Sequence, residues 1–303
     1  MEETMKLFKP LLAATCDDVE AIKYPVLVSR KLDGVRCTVQ GGRLLSRTLK
    51  EIPNVHIQEL FSNLPSFLDG ELVVGEVTAE DAYRTTVSLV MSDSKPLDFF
   101  GDRRVVYYVF DQHGEAGFQA RLKGAAAAIK GKASVQIVQH VTVNSAEELS
   151  ELEAAWLAEG HEGVMVRSID GRYKEGRSTI KECILQKVKR FRDGEAKIIG
   201  TFEEMENTNE AKKNALGRTE RSTEKAGKIG KGTLGGFEVE GVSVYAGVKF
   251  SIGCGFTKQQ REYLWAKRSS LIGQLVVFKY FPLGSDTKPR FPVWKGFRDA
   301  RDM

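Results

Sequence analysis

The 303-residue chain has few cysteines, no long apolar run and little net charge, and each absence excludes a class of protein. The four cysteines form no CxxC pair, which argues against a zinc ribbon or a disulfide scaffold and suits a reducing compartment. No apolar run approaches the roughly 20 residues that a membrane helix needs. The acidic, polar start does not look like a secretory signal. We therefore expect an intracellular, cytoplasmic protein with no signal peptide or transmembrane segment.

The balance of charged residues does not decide whether the protein binds nucleic acid. Lys and Arg number 45 against 41 Asp and Glu, which gives a net charge of +4 at pH 7. A mildly basic balance permits a nucleic-acid partner without requiring one. Hydrophobic residues make up 42% of the chain, which is enough to build real cores. The length fits one large domain or two ordinary ones.

Short apolar runs separated by turn signals predict a chain rich in β-strands. Residues 105–110 are β-branched and aromatic, which is typical of a strand, and residues 68–74 form a second run, interrupted by an Asp-Gly pair. Three more runs follow late in the chain, at 236–245, 248–252 and 275–280. Several short strands within about 110 residues predict a small barrel in this last part.

Two capping boxes mark the starts of helices, because a Ser or Thr followed three residues later by Glu or Gln satisfies free amides of a first helical turn. Ser145 with Glu148 predicts one helix, and Thr257 with Gln260 predicts another that runs towards residue 270. Three apolar residues share one face of the first helix: Leu149, Leu152 and Trp156. Such a stripe is more typical of core packing than of a binding site.

The segment 207–232, called the basic arm below, has no aromatic residue and few apolar ones. It carries three Glu against seven Lys or Arg, which are Lys212, Lys213, Arg218, Arg221, Lys225, Lys228 and Lys231. A stretch of this composition cannot bury itself, so we expect it to be mobile when the protein is alone. It is either a solvated insertion or an arm that becomes ordered on a phosphate backbone. A change of composition near residue 190 predicts two domains, 1–190 and 191–303.

Lys31 stands in an unusual place for a surface charge. It follows the apolar run 26–28 and precedes Asp33-Gly34, so it lies at the end of a predicted buried strand. Desolvation and neighbouring cations lower the pKa of a lysine and leave a neutral amine that can attack phosphorus or a carbonyl. Arg30 and Arg36 would supply those cations. The alternative is an ordinary hairpin in which Asp-Gly is the turn and the lysine merely flanks it.

Several strings downstream contain the residue types that nucleotidyl transfer requires. The reaction needs a nucleophile, carboxylates for a metal or a ribose, cations for the phosphate and an aromatic ring for the base. Besides Lys31, the candidates are Glu71, Phe110, Glu162, Lys187 and Lys189. Lys187 and Lys189 are two residues apart on a predicted strand and therefore point to one face. Each residue alone is a weak indication, and their order along the chain carries the interpretation.

The ordered set resembles the motifs of the covalent nucleotidyltransferase superfamily and, within it, the ATP-dependent DNA ligases. The matching strings are KLDGVR at 31–36, DGE at 69–71, YVFD at 108–111, EGVMVR at 162–167 and QKVK at 186–189. Longer strings resemble the minimal ligases of chlorella viruses, at 9–15, 176–179, 221–223, 278–281 and 289–293. One departure is RDAR at 298–301, where the family often has Arg-x-Asp-Lys.

This resemblance implies an α+β fold in two parts. An adenylation (nucleotidyltransferase) domain of antiparallel sheets with flanking helices would be followed by an OB-fold β-barrel domain. The basic arm would be a latch-like insertion in that second domain.

The resemblance also implies a role for each motif residue. Lys31 would form a lysyl-AMP intermediate, and Glu162 would support a metal. The nucleotide contacts would be Arg36 and Glu71 on the ribose, Phe110 on adenine, Lys187 and Lys189 on the α-phosphate, and Arg290 and Arg298 on the β- and γ-phosphates. Arg47 and Arg177 would hold the 5′-phosphate of a nick, and the basic arm would close around the duplex.

The implied activity is ATP-dependent sealing of nicks with 5′-phosphate and 3′-hydroxyl ends in duplex DNA, by way of lysyl-AMP and a DNA-adenylate. ATP would be the co-substrate, with Mg²⁺ or Mn²⁺ as the metal. The partner would be nicked double-stranded DNA, and the enzyme would act as a monomer. A small ligase of this kind suits a virus, a phage or a bacterium, in replication, repair or recombination.

Other functions fit the sequence less well. A GTP-dependent mRNA capping guanylyltransferase shares the KxDG and EG motifs, and an RNA ligase is similar, but the second domain and the basic arm fit the DNA ligases better. We do not expect an NAD-dependent ligase, because the chain looks too short for that family's extra domains and the cysteines cannot build its zinc site. A non-catalytic nucleic-acid-binding protein would carry a degenerate site, whereas all of the motif residues are present here.

Overall fold

The computed structural model describes residues 7–242, 245–281 and 288–298, with the backbone alone at position 281. The chain divides into two compact units, Met1–Lys189 and Arg190–Met303, and each has hydrophobic core of its own. Within these described ranges no helix is both long enough and apolar enough to cross a membrane.

The described part of unit 1 consists of short strands with four intervening helices. The strands are β1 (Leu11–Leu12), β2 (Ala14–Thr15), β3 (Val26–Arg30), β4 (Val35–Gln40), β5 (Arg43–Ser46), β6 (Leu68–Val74), β7 (Val105–Gln112), β8 (Val135–Ile137), β9 (Val141–Val143), β10 (Val164–Ser168), β11 (Gly176–Arg177) and β12 (Leu185–Val188). The helices are α1 (Val55–Leu60), α2 (Ala82–Val90), α3 (Phe118–Ala128) and α4 (Ala146–Ala158).

Two five-stranded sheets form the framework of unit 1. One has the order β5-β4-β6-β7-β8, and the other has the order β2-β12-β10-β3-β9. Strand β3 is paired on both sides, with β10 and with β9, so it has no free edge for β4. Residues 31–34 therefore cross from one sheet to the other. The hairpin alternative for Lys31 is wrong, because the strands before and after it belong to different sheets.

The Asp-Gly pair at 69–70 lies inside β6 and does not interrupt it, which corrects the expectation from the sequence. The register with β7 shifts between Asp69 and Gly70, so a bulge keeps both residues in the ladder. A Cβ atom on Gly70 would lie 2.4 Å from the carbonyl oxygen of Tyr108. The glycine is needed for this close approach of two backbones and not for a turn.

Helix α4 begins where the sequence predicts. The side chain of Ser145 accepts a hydrogen bond from the amide of Glu148 at 3.2 Å. The Glu148 carboxylate accepts from the amide of Asn144 instead of that of Ser145, so half of the predicted capping box forms. Leu149 and Trp156 are buried against β3 and β10 with Leu152 packed beside them, which confirms that this stripe is core.

Unit 2 is built on one five-stranded antiparallel sheet of order β17-β16-β13-β18-β19. Its elements are β13 (Arg192–Asn207), β14 (Ala211–Lys213), β15 (Thr219–Arg221), a 3₁₀ turn (Lys225–Gly227), β16 (Lys228–Gly241), β17 (Lys249–Ile252), α5 (Lys258–Ala266), α6 (Arg268–Leu271), β18 (Leu275–Phe281) and β19 (Arg290–Phe297). The predicted strands at 248–252 and 275–280 are confirmed. So is the strand from residue 236, although residues 243–244 lie outside the described ranges.

The two edge strands of this sheet approach each other. Cys254, just after β17, forms a bridge with Val293 in β19, and the amide of Trp294 donates to the Cys254 carbonyl at 2.9 Å. The sheet therefore curls towards a barrel around its aromatic core. Helix α5 starts at Thr257, where both hydrogen bonds of the predicted capping box with Gln260 form.

The basic arm is a β-hairpin in the structure. Strands β13 and β16 stay paired as far as Asn207 and Lys228, and β14 pairs with β15 at the tip. The side-chain amides of Asn207 and Asn209 both donate to the carbonyl of Ser222. All seven basic side chains of the arm are exposed, as its composition predicts, but its backbone finds hydrogen-bond partners within the arm itself.

Candidate active site

A pocket of about 240 Å³ lies between the two sheets of unit 1 and is lined from both. Strand β4 contributes Arg36, β6 contributes Glu71 and β7 contributes Phe110, while the opposite sheet contributes Met165 and Lys187. Eight basic side chains line it: Arg30, Lys31, Arg36, Arg47, Arg167, Arg177, Lys187 and Lys189. So large an excess of positive charge in a cleft attracts a polyanion.

Lys31, which lines this pocket, is paired with the buried Glu162, which does not line it. Its Nζ atom donates to one carboxylate oxygen of Glu162, and Lys189 donates to the other. The Glu162 side chain is only 4% exposed. Burial raises the pKa of Glu162, but the charges of Lys31 and Lys189 outweigh burial and the pKa is lowered. One carboxylate therefore holds the two lysines side by side.

Lys187 and Lys189 lie on the same face of their strand, as the alternation of side chains along a strand predicts. Lys187 and Lys189 both line the pocket, whereas Gln186 and Val188 are buried on the other side of the strand. Burial lowers the pKa of Lys187, and the neighbouring charges of Lys189 and Lys31 lower it further. The Lys187 amine is thus set among cations that an anionic ligand would neutralise.

The arginines expected beside Lys31 have acidic partners of their own. Arg30 pairs with Glu159 at 3.0 Å, and its guanidinium carbon lies 4.6 Å from the centre of the Trp156 ring. Arg36 pairs with the fully buried Asp69 at 2.6 Å. The cation that shares a carboxylate with Lys31 is Lys189, which corrects the expectation from the sequence.

Arg36, Glu71 and Phe110 come together on the other wall. The Arg36 guanidinium carbon lies 4.5 Å from the centre of the Phe110 ring. Burial would lower the pKa of Arg36, but Asp69 outweighs burial and the pKa is raised. Glu71 accepts from the amide of Gly34 at 3.3 Å. Burial raises the pKa of Glu71 to about 7, against the opposing charges of Arg36 and Lys31.

A buried ionic network behind Phe110 was not predicted from the sequence. Asp111 is fully buried and accepts from Arg121 Nε at 2.9 Å and from Arg167 Nη1 at 2.7 Å. Burial lowers the pKa of Arg167, although Asp111 opposes the shift. Asp111 and Arg167 end the YVFD and EGVMVR strings, so the motifs contained them, but nothing in the pattern distinguished them from surface charges.

Arg47 and Arg177 line the same pocket and are both exposed. The Nη1 atom of Arg177 donates to the carbonyl of Ala13 at 2.6 Å. The remaining predicted residues lie in unit 2. There Arg298 pairs with Glu195 at 3.3 Å, and the Arg290 guanidinium carbon lies 5.4 Å from the centre of the Phe291 ring.

Residues 299–301 of the RDAR string lie outside the described residues. The lining residues of the pocket all belong to unit 1.

The donor set near Lys31 suits a hard divalent cation only when phosphate oxygens complete it. Among residues 7–242, 245–281 and 288–298 no cluster of three or more acidic, His or Cys side chains is arranged to hold a metal. Mg²⁺ is commonly held by one or two carboxylates together with substrate phosphates and water. Glu162 is such a carboxylate, so the residues fit a metal that arrives with a nucleotide.

Comparison with known families decides the assignment. Residues 10–189 match the family model described as ATP dependent DNA ligase domain, and residues 226–298 match that described as DNA ligase OB-like domain. The chain belongs to the ATP-dependent DNA ligase family. This confirms the expected family and the α+β fold class.

Solved structures of ligases resemble this ligase-family chain over nearly its whole length. A chlorella virus DNA ligase-adenylate is 36% identical, with 96% of this chain and 98% of that chain covered and a TM-score of 0.54. A structure from work on the minimal Lig E DNA ligases is 26% identical, with 96% and 100% covered and a TM-score of 0.73.

Curated relatives match one part of the chain. A probable DNA ligase of Kineococcus radiotolerans is 33% identical over 186 residues, which is 55% of this chain. The chain spans only 36% of the length of that relative.

Proposed function

We propose that this protein is an ATP-dependent DNA ligase that seals nicks in duplex DNA through a lysyl-AMP intermediate. The observation that carries the proposal is the pocket in which Lys31 is one of eight basic side chains, with Glu162 bound to it and Phe110 on the opposite wall. A lysine nucleophile, cations for phosphate and an aromatic ring for a base meet there in one cavity. Membership of the ligase family supports ATP as the nucleotide.

In the first step the neutral amine of Lys31 attacks the α-phosphorus of ATP. A P–N bond forms and the nitrogen gives up one proton to solvent, while the bond from that phosphorus to the bridging oxygen breaks and pyrophosphate leaves with the electron pair. Lys187 and Lys189 would neutralise charge on the α-phosphate as it develops. Phe110 would stack on adenine, and Arg36 and Glu71 would hold the ribose.

In the second step an oxygen of the 5′-phosphate at a nick attacks the same phosphorus. The P–N bond breaks, and Lys31 regains its proton. The 3′-hydroxyl then attacks the activated 5′-phosphate and releases AMP. Arg47 and Arg177, both exposed at the pocket, are suited to that 5′-phosphate because a guanidinium binds phosphate oxygens in pairs.

The remaining predicted groups act around this centre. Arg290 and Arg298 of unit 2 would orient the β- and γ-phosphates of ATP, and the basic arm would contact the phosphates of the duplex. Glu162 would hold Mg²⁺ or Mn²⁺ together with the nucleotide phosphates. A bound metal would stabilise negative charge on the reacting phosphate and make the attacking hydroxyl more acidic.

The test offers a labelled nicked duplex with ATP, GTP or NAD⁺ in separate reactions. We expect sealing with ATP alone. Sealing that requires NAD⁺, or labelling of the protein by GTP in place of ATP, would contradict the proposal, and the second result would favour a capping guanylyltransferase.

The nucleophile is tested with α-labelled ATP and the Lys31→Ala variant. We expect covalent labelling of the wild type to be lost in this variant and kept in Lys130→Ala, because Lys130 is an exposed residue that does not line the pocket. Undiminished labelling of Lys31→Ala would remove Lys31 from this role.

A further inference from the structure

Tyr173 lies in the loop between β10 and β11 and is not one of the motif residues assigned above. Its hydroxyl group makes two hydrogen bonds. It donates to Oδ2 of Asp69 at 2.6 Å and accepts from the amide of Leu11 at 3.3 Å. The tyrosine thus ties the first strand of the chain to a buried carboxylate in β6.

The same two residues also hold Arg36. The Nη2 atom of Arg36 donates to the carbonyl of Leu11 at 3.0 Å and to Oδ2 of Asp69 at 2.7 Å, and its Nε atom donates to Oδ1 of Asp69 at 2.6 Å. Tyr173, Asp69, Arg36 and Leu11 therefore form a closed ring of hydrogen bonds. Both backbone groups of Leu11 take part in it.

The ring of bonds leaves one end of the guanidinium available to a ligand. Nε and Nη2 of Arg36 are engaged, while Nη1 makes no hydrogen bond within the described part of the chain. The group lies against Phe110 and lines the pocket. The plane of the Arg36 guanidinium is fixed on the side away from the pocket, because it contacts two oxygens of Asp69 and the carbonyl oxygen of Leu11.

The tyrosine ring is itself fixed in place. Phe8 and His113 contact it edge-on, with ring centres 5.8 Å and 5.0 Å away, and the Arg121 guanidinium carbon lies 5.6 Å from its centre. Burial and the adjacent Asp69 raise the pKa of Tyr173 well above its usual value. The hydroxyl group therefore keeps its proton and donates to Asp69 throughout the working pH range.

We propose that Tyr173 is a positioning residue for Arg36, and that its hydroxyl group sets the affinity of the pocket for the nucleotide by fixing the Asp69 carboxylate and the Leu11 backbone. The inference rests on the proposed function, in which Arg36 contacts the ribose of ATP. Without the hydroxyl group, Asp69 loses a donor and the Leu11 amide loses its acceptor, so both anchors of the guanidinium loosen. The reacting atoms themselves are untouched.

The test is single-turnover labelling of the full chain by ATP over a range of concentrations. For Tyr173→Phe we expect the apparent dissociation constant of ATP to rise about tenfold, with the maximal rate nearly unchanged. The control is Tyr24→Phe, which loses one hydrogen bond to the carbonyl of Val19 in a partly buried site that does not line the pocket. Its ATP affinity should equal that of the wild type.

A double-mutant cycle shows whether Tyr173 acts through Arg36. In the Arg36→Lys background the fixed guanidinium is absent, so adding Tyr173→Phe should change ATP affinity less than twofold. Thermal unfolding of the Tyr173 and Tyr24 variants measures the general cost of losing a hydroxyl group. A merely structural role would lower the stability of Tyr173→Phe and leave its ATP affinity at the wild-type value.

The outcomes separate the two proposals. A wild type that is not labelled by ATP overturns the proposed function and the inference with it, since Arg36 then has no nucleotide to hold. Normal labelling of the wild type with unchanged ATP affinity in Tyr173→Phe overturns the inference alone. The inference is also overturned if Tyr173→Phe weakens ATP binding by the same factor in the wild-type and the Arg36→Lys backgrounds.

Discussion

The Nζ atom of Lys31 donates a hydrogen bond to the carboxylate of Glu162. Lys189 donates to the other oxygen of the same carboxylate, so Glu162 holds two lysine side chains together beside the pocket. In the proposed reaction, Lys31 must leave this partner before its amine can attack phosphorus. In the proposed function, phosphate oxygens and a metal that enter the pocket would compete for the lysines and for Glu162, so binding of the nucleotide would release Lys31 from this carboxylate.

Replacing Glu162 by Gln should destabilise the protein strongly. The substitution removes the negative charge that Lys31 and Lys189 share at a side chain only 4% exposed. We expect the free energy of unfolding to fall by about 2–3 kcal/mol in urea titrations. Glu159→Gln is the matched control, because its pair with Arg30 is exposed and should contribute at most about 1 kcal/mol. An equal loss of unfolding free energy in the two variants would show that burial does not strengthen the ion pairs of Glu162.

Glu71 should give the protein a distinctive pH dependence. Its pKa is about 7 in the folded chain against an ordinary value of 4.5. Between these values the folded chain keeps a proton that the unfolded chain has lost, so stability falls as the pH rises from 4.5 to 7 and levels off above 7.

The contribution of Glu71 is isolated by comparing thermal unfolding of the wild type and Glu71→Gln across this pH range. The decline should be shallower in the variant and unchanged in Glu80→Gln, which alters an exposed carboxylate. Parallel curves for the wild type and Glu71→Gln would show that this group does not titrate in the window.

The basic arm should act on DNA binding and not on adenylation. Deleting residues 207–232 removes seven exposed cations, so we expect nick binding to weaken while labelling by ATP is kept. Lys212 and Lys213 together should account for about two units of the slope of log affinity against log salt concentration.

The slope is measured by titrating a nicked duplex at several salt concentrations. The double replacement Lys123→Ala and Lys130→Ala removes two exposed charges of unit 1 and is the matched control. If deletion of the arm abolished labelling and left nick binding intact, its assigned role would be wrong.

Gly34→Ala should damage the site through the backbone. A Cβ atom at this position would lie 2.1 Å from the carbonyl oxygen of Leu72, so β4 and β6 would have to separate. We expect a loss of about 1–3 kcal/mol in stability together with slower labelling by ATP. Gly114→Ala serves as the control, because its Cβ would meet only a side-chain carbon of Arg121 at 3.8 Å. Wild-type stability and labelling in Gly34→Ala would show that the strands adapt.

Much of the candidate site follows from residue type and order along the chain. Lys31, Glu71, Phe110 and Lys187 were selected by the chemistry of nucleotidyl transfer and by motif strings, and the structure brings all four to one pocket. Local periodicity also predicted that Lys187 and Lys189 share a face. These inferences succeed because strand alternation and capping depend on near neighbours.

The ion-pair partners of the charged residues could not be predicted from the sequence. The sequence predicted Arg30 and Arg36 as the cations beside Lys31. In the structure Arg30 forms an ion pair with Glu159, and Arg36 forms one with Asp69. Asp69 was read as part of an interruption in a strand, yet it is buried and holds Arg36. Pairings of this kind join residues more than thirty positions apart, which no local pattern encodes.

The sequence by itself determined the family, several of the strands, the starts of two helices and the set of reactive side chains, because these depend on composition, periodicity and short motifs. Only the tertiary structure decided that residues 31–34 cross between two sheets, that Glu162 joins Lys31 to Lys189, and that Tyr173 closes a ring of bonds behind Arg36. The physical reason is that burial and hydrogen bonding act through space. The same lysine, carboxylate or tyrosine has a different role according to what the folded chain places within about 3 Å of it.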